Sequence, residues 1–398
     1  MQHSERLALP EVDPISASHS LLVARHVSEK IAAADGCISF AEFMHEVLYA
    51  QGLGYYSAGA LKFGAGGDFT TAPEVSSLFG HVLARQCAPV LAEVRTRHGE
   101  ASILEFGAGS GKLAVDVLTR LNELDALPDS YNILEVSADL RERQESYINA
   151  TVPQLASRVT WLAHLPAEHH GVMLANEVLD AFPVERFIRR AEHIAQLCVA
   201  LEGDRFTIVE RQAPPSLAAA VQTIEDDLGQ PLPAGYVSEA NLAASAWIAD
   251  VAATLRSGMA FLFDYGVSRH EYYAADRSDG WLRCHFRHHA HSDALILPGI
   301  QDITAWVDFS AVASAGIDNG LDIAGYVSQA HFLVSGGLAD ELADFTELAP
   351  DAQLKLSAQV KLLTLPGEMG ENFKCLGFSR ALHASPASFA VADRTFSL

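Results

Sequence analysis

A chain of 398 residues is long for a single hydrophobic core and suits one large domain with additions, or two domains. Its 49% hydrophobic and 19% charged residues exclude a disordered chain. The formal charge of −23, from 50 acidic against 27 basic residues, argues against nucleic acid or an anionic membrane as the main partner and would tolerate a cationic substrate. The five cysteines (Cys37, Cys87, Cys198, Cys284, Cys375) contain no CxxC pair, which fits reduced intracellular usage. The opening MQHSERLALPEVDP has no apolar stretch of signal-peptide length, and no apolar run approaches the roughly 20 residues of a membrane span. A cytoplasmic protein without membrane insertion is expected.

Helical signals dominate residues 1–90. Ser39-Phe40-Ala41-Glu42 reads as a capping box opening a helix with Phe40, Phe43, Met44, Val47 and Leu48 on one face. A second start, Thr71-Ala72-Pro73-Glu74, leads into Val75, Leu78, Phe79, Val82 and Leu83 at the same spacing. Between them lies the glycine- and aromatic-rich loop GYYSAGALKFGAGGDFTT, of a kind that often carries function. From residue 100 the rhythm becomes strand, loop, helix: SILEFG, YNILEVS, VTWL and GVMLAN are short apolar strands with helical stretches between the first three. Buried strands alternating with helices imply an α/β fold, its mostly parallel sheet covered on both faces. Residues 91–185 are then the first part of that core, and 258–398 the second. Between them, 186–257 reads as an inserted β-meander (ERFIRR, IAQLCVALEG, RFTIVERQ) followed by helices. GMAFLFDYG resumes the sheet, and the tail alternates to a final strand in NFKCLGFSRA.

The first strand runs directly into Glu105-Phe106-Gly107-Ala108-Gly109-Ser110-Gly111. Glycines at alternate positions let backbone pass close beneath a ligand, and the following helix offers its N-terminal N–H groups. A dinucleotide fingerprint would need glycine where Lys112 stands, which disfavours a nicotinamide dehydrogenase. The pattern ExGxGxG suits a cationic cofactor of the adenosyl-methionine type. Glu135, followed by Val136, ends the second strand 24 positions beyond Gly111, where a carboxylate accepts hydrogen bonds from both ribose hydroxyls of a bound nucleoside.

With these motifs in view, GGDFTTAPEVSSLFG, ILEFGAGSGKLAVDVL, NILEVSADLRERQ, LANEVLDAFPVERF, FLFDYG, PGIQDITAWVDFSAV, SQAHFLVSGG and MGENFKCLGF occur in order over nearly the whole chain. The chain resembles the MidA-like family of S-adenosylmethionine-dependent methyltransferases, which includes the mitochondrial complex I assembly factor. The resemblance implies a class I, Rossmann-like methyltransferase fold with an N-terminal helical region and a lid-like insertion. It implies Glu105, Gly107, Ala108, Gly109 and Gly111 as the cofactor loop and Glu135 as the ribose ligand. It also implies that Asp68, Phe69 and Thr70 belong to a segment folding over the cofactor. Eukaryotic members are regarded as protein arginine methyltransferases acting on a respiratory complex I subunit.

The run Val172–Ala175 ends abruptly in Asn176-Glu177, with Asp180 three residues on. Burying unpaired carboxylates is expensive, so such a strand end should open onto solvent or ligand. In an open α/β sheet it faces the ligand crevice. Asn176 is expected at the cofactor, and Glu177 and Asp180 as a bidentate grip on an acceptor guanidinium. The alternative is that Asp180 caps the next helix and Glu177 orders the loop. Asp264, closing FLFDYG, lies at the same sheet edge, as a helper or as a structural hydrogen bond. RCHFRHHAHSDAL holds His285, His288, His289 and His291 without a cysteine or carboxylate at ligand spacing, so no metal is expected. His288 or His289 is the candidate proton acceptor, within what reads first as a loop whose histidines join a hydrogen-bond network near the acceptor channel. Tyr55-Tyr56 suit an aromatic lid or core packing equally.

The sequence therefore points to methyl transfer onto a protein arginine. A small-molecule methyltransferase, or a cofactor-binding assembly factor without turnover, stays open.

Overall fold

The computed structural model describes residues 9–57 and 70–398. They form two compact units, one of residues 71–180, 243–272 and 306–398, the other of 181–242 and 273–305 with the described residues before 71.

The first unit is built on a parallel sheet. Its strands are β1 (Ser102–Phe106), β2 (Ser130–Leu134), β3 (Val159–Leu162), β4 (His169–Asn176), β5 (Leu255–Val267), β6 (Asp322–Ser328) and β7 (Phe373–Arg380). Their spatial order is β6-β7-β5-β4-β1-β2-β3. Neighbours are parallel from β5 through β4, β1 and β2 to β3, while β7 runs antiparallel to both β5 and β6. A two-residue strand, Val307–Asp308, pairs in parallel with Gly266 and Val267. The helices that position the site are α1 (Ser77–His98), α2 (Lys112–Glu123), α3 (Ala138–Thr151) and α4 (Leu242–Thr254).

The strands are apolar on both sides because both faces are covered. Ile103, Val172, Leu174, Phe261 and Phe263 share one core with Val82, Val90, Leu113 and Val117 of α1 and α2. On the opposite face Phe106 meets Trp247 of α4 edge-on, with ring centroids 4.9 Å apart. Phe263 is fully enclosed, edge-on to Phe79 at 5.0 Å and to Phe332 at 4.8 Å, and truncation to alanine there would cost about 3–5 kcal/mol.

The helix read from Thr71 onward is interrupted. Thr71 precedes a single turn, Ala72–Val75, and Ser76 then adopts an extended conformation (φ −161°). Its hydroxyl accepts from the Leu78 N–H at 3.4 Å and starts α1 afresh. A serine able to cap ends the first turn and begins a second helix. Leu78, Phe79, Val82 and Leu83 are buried as the spacing requires.

In the second unit Ser39 and Glu42 form the expected capping box. The Ser39 hydroxyl accepts from the Glu42 N–H at 3.0 Å, and the Glu42 carboxylate accepts from the Ser39 N–H at 2.8 Å. The meander Glu185–Arg189, Ile194–Glu202 and Arg205–Gln212 is antiparallel throughout. Val237–Ala240 pairs with its first strand, and Cys37–Ser39 pairs with the second half of its middle strand. The strand Cys37–Ser39 is three residues long, too short for periodicity to reveal.

The histidine tract is not a loop. Leu282–Phe286 and His289–His291 make a hairpin, with Asp302–Ala305 on its other side. Arg287 and His288 form its turn at φ 49° and 62°, the two positive φ values of a primed hairpin turn. Tyr55 is buried with Phe43 and Val47 in this unit's core, and the Tyr56 hydroxyl donates to Asp302 at 2.8 Å. Packing within the unit accounts for both tyrosines. No helix among the described residues is long and apolar enough to cross a membrane.

Candidate functional site

After β1 the chain turns through Gly107 (φ 60°), Gly109 (φ 54°) and Gly111 (φ 84°), all in the left-handed region that glycine adopts without strain. α2 begins at once, with Gly111 as its cap and no side-chain cap bond. A β-carbon added at Gly109 would meet nothing within 4 Å, so the loop is open on that side. The Ser110 hydroxyl donates to the Glu74 carboxylate and ties the loop to the turn ahead of α1. Ala108 is buried beneath the loop.

Glu135 stands just past the end of β2, half-buried. One carboxylate oxygen accepts from the Ser137 N–H at 2.9 Å and the other from the Gln144 side-chain amide at 3.0 Å. Beside it, Val136 is 84% exposed, an apolar surface at the carboxyl end of a parallel strand. An open glycine turn, a helix N-terminus, a fixed carboxylate and an exposed aliphatic side chain fit an adenosyl group: amides for its amino-acid end, an acceptor for ribose and apolar contact for a base.

Glu105, expected at the cofactor loop, stands inside β1. It lies on the same face of β1 as Ile103, 2% exposed, and the Tyr131 hydroxyl donates to it at 2.7 Å. Burial, reinforced by the Glu135 charge and opposed by the Tyr131 bond, pushes its pKa up from 4.5 to about 7. In this conformation Glu105 braces β1 against β2 inside the core.

At the other strand ends, the Glu177 N–H donates to the Phe263 carbonyl at 2.8 Å, which extends the β4–β5 ladder by one residue. Glu177 itself has φ 53°. A non-glycine residue in this region stores on the order of 1 kcal/mol, and such residues gather at functional sites. The Asn176 amide donates to Glu177 at 3.2 Å, while its buried carbonyl oxygen finds no hydrogen-bond partner among the described residues. Asp264, at the end of β5, is fully buried and holds the turn. One of its oxygens accepts from the N–H groups of Leu179 (2.9 Å) and Asp180 (3.2 Å), the other from that of Tyr265 (2.9 Å). Burial first, then the carboxylates of Asp180 and Glu177, push the Asp264 pKa well above the ordinary aspartate value. Asp180 is 6% exposed.

The structure thus gathers Asn176, Glu177, Asp180 and Asp264 at one edge of one sheet. Asp68 and Phe69 lie outside the described residues, and Thr70 is exposed. His288 belongs to the other unit, exposed at its hairpin turn. Among the described residues, no group of three or more histidine, cysteine or acidic side chains is arranged to hold a metal. Gln144 was missed. It closes the motif NILEVSADLRERQ and sits between Leu140 and Ile148 on the buried stripe of α3. An amide in an apolar stripe is a signal that periodicity alone could have flagged.

Residues 82–327 match a family model described as S-adenosyl-L-methionine-dependent methyltransferase. A superfamily member from Burkholderia thailandensis, crystallised with S-adenosyl-homocysteine, is 41% identical, with a TM-score of 0.90 over 98% of this chain and 100% of that one. The mitochondrial protein arginine methyltransferase NDUFAF7 of Danio rerio is 27% identical over 90% of this chain and 87% of its own length. The Homo sapiens protein of the same name is 28% identical over 88% and 81%. That these relatives carry mitochondrial names overturns the cytoplasmic placement expected above. That expectation rested on composition and the lack of an apolar span, neither of which encodes a compartment. The α/β fold is that of the solved methyltransferase relative, and S-adenosyl-L-methionine is the cofactor. The chain belongs to the S-adenosyl-L-methionine-dependent methyltransferase family.

Proposed function

We propose that this class I methyltransferase modifies an arginine side chain of a protein. The cofactor supplies an electrophilic methyl on a sulfonium; the chain supplies position and charge. Gly107, Ala108, Gly109 and Gly111 carry the amino-acid end, Glu135 the ribose, Val136 the base and Asn176 the edge nearest the reacting atoms. Asp68, Phe69 and Thr70 belong to the covering segment.

The observation that carries the acceptor reading is the convergence of three carboxyl groups, Glu177, Asp180 and Asp264, at the ends of adjacent strands. Mutual repulsion in a buried place is relieved by a cation. A guanidinium relieves it best, because its planar fork bonds two carboxylate oxygens at once and keeps its charge at all accessible pH. Glu177 and Asp180 grip that fork and aim one nitrogen along the line of displacement. Asp264 fixes the turn that carries them. The names of the curated relatives support this reading. A respiratory complex I subunit, implied by the family resemblance, is the acceptor we propose.

The test is methyl transfer from radiolabelled S-adenosyl-L-methionine into a lysate fraction from cells lacking the protein, with Glu177→Gln alongside. One labelled protein is expected, its label recovered as methyl-arginine. Glu177→Gln should reduce transfer at least about tenfold, with affinity for S-adenosyl-homocysteine unchanged. Label confined to small molecules, or a fully active mutant, would sink the arginine grip.

A further inference from the structure

Gln144 is fully buried, yet every polar atom of its side chain is engaged. Its amide nitrogen donates to the Gly109 carbonyl at 3.0 Å and to the Glu135 carboxylate at 3.0 Å. Its carbonyl oxygen accepts from the Trp161 indole N–H at 2.9 Å. The orientation of an amide side chain is normally ambiguous, but here the chemistry decides it. An indole N–H can only donate, so the amide oxygen must face Trp161, and both amide hydrogens are left for Gly109 and Glu135. The α-carbon and first side-chain carbons of Gln144 also lie 3.5 Å from where a Gly111 β-carbon would be. One residue therefore touches the glycine turn at two points and holds the carboxylate beyond β2.

We propose that Gln144 is the positioning residue of the cofactor site, clamping Glu135 to the glycine turn, with Trp161 locking the clamp and reporting its state. This rests on the reading of Glu135 as the ribose holder. The fold alone does not need the arrangement: Leu140 and Ile148 bury the same stripe of α3 with apolar side chains, and a leucine at 144 would extend it. The amide bridges two cofactor-binding elements, the glycine turn and the carboxylate beyond β2. Ligand hydroxyls drawing on Glu135 alter the charge that Gln144 feels, and the indole bond with it. Trp161 is half-buried, with the Arg141 guanidinium 6.0 Å from its ring centroid, so its emission is sensitive to such a change.

The test is calorimetric titration with S-adenosyl-homocysteine, with melting temperatures for each protein. Gln144→Glu keeps an acceptor for Trp161 but removes both donors and sets a second carboxylate against Glu135. Its Kd should rise about thirtyfold at full stoichiometry. Gln144→Met keeps length and packing, folds if the charged variant does not, and should lose about tenfold. Trp161→Phe leaves the donors but unlocks their orientation and should lose about threefold. A purely structural role would lower the melting temperature or the binding stoichiometry and leave the Kd of the folded fraction alone. A Kd within twofold of wild type in both Gln144 variants overturns the proposal. The Trp161 emission, isolated by difference against Trp161→Phe, should change on saturation in the wild type and not in Gln144→Met; a change that persists there also overturns it. The 2′-deoxy analogue of S-adenosyl-homocysteine separates the underlying reading. If it binds the wild type as well as the parent does, the ribose role of Glu135 fails and takes the clamp with it. If it binds more weakly while the Gln144 variants bind normally, the clamp alone fails.

Discussion

The two ends of one sheet edge handle acidic groups in opposite ways. Past β2, Glu135 is half-exposed and held by two donors, the Ser137 N–H and the Gln144 amide. Past β4 and β5, Asp264 is buried beside two other carboxylates, which together with burial hold it toward its protonated form. The first arrangement fixes carboxylate oxygens in place for the proposed ribose hydroxyls. In the second, burial and two neighbouring carboxylates raise the cost of ionising Asp264, a cost that the proposed guanidinium would lower. On the proposed reading the first end positions the methyl donor and the second the cationic acceptor, and both are exchanged at every turnover.

The change expected to cost the fold most is Asp264→Ala. It strands three backbone N–H groups at about 1–3 kcal/mol each where they remain dry, and it frees the turn that carries Asp180. We expect a lower melting temperature and no measurable methyl transfer. Asp264→Asn, which keeps one acceptor oxygen, should fall between. If Asp264→Ala melts like the wild type and still transfers methyl groups, the two ends are not built differently and the comparison collapses.

Next in size is Glu105→Gln, read as a slope against pH. The folded pKa of Glu105 lies above its unfolded value, at about 7 against 4.5. The folded state therefore holds the proton more tightly, and the stability this contributes is complete below pH 4.5 and lost as pH rises through about 7. The loss is on the order of 3 kcal/mol. Denaturant unfolding of the wild type should weaken across that window, whereas Glu105→Gln, whose amide oxygen still accepts from Tyr131, should be flatter and more stable at pH 8. A mutant with the wild-type slope would return the effect to Asp264, which titrates in the same direction.

Much of the fold was legible because its signals are local. The capping box at Ser39 and Glu42, the glycine turn and the apolar runs of β1, β4 and β5 each lie within a few residues, and each is where periodicity places it. What escaped depends on partners distant in sequence. Nothing near Glu105 reveals that Tyr131 will meet it across the sheet. Cys37–Ser39 is a strand only because Cys198–Ala200 pairs with it. Asp264 read as helper or structural bond alike, since its role is set by a turn 85 residues earlier. The histidine tract read as a loop, whereas Arg287 and His288 at positive φ make the turn of a hairpin whose strands are too short for periodicity to reveal.

The smallest change sharpens the comparison at the cofactor end. At Gly109 an alanine β-carbon would meet no atom within 4 Å, so the fold suffers only the left-handed backbone at φ 54°, about 1 kcal/mol. If the open side of the turn is where the cofactor passes, that methyl occupies ligand space, and affinity for S-adenosyl-homocysteine should fall far more than stability, by roughly a hundredfold against a melting shift of a few degrees. Gly109→Asn separates backbone from bulk. Asparagine tolerates this conformation better than alanine but is larger, so a steric cause predicts weaker binding in Asn than in Ala, and a backbone cause predicts the reverse order. The steric order alone would assign the open face of the turn to the cofactor, because only a ligand makes the size of a side chain matter where the protein leaves room for it.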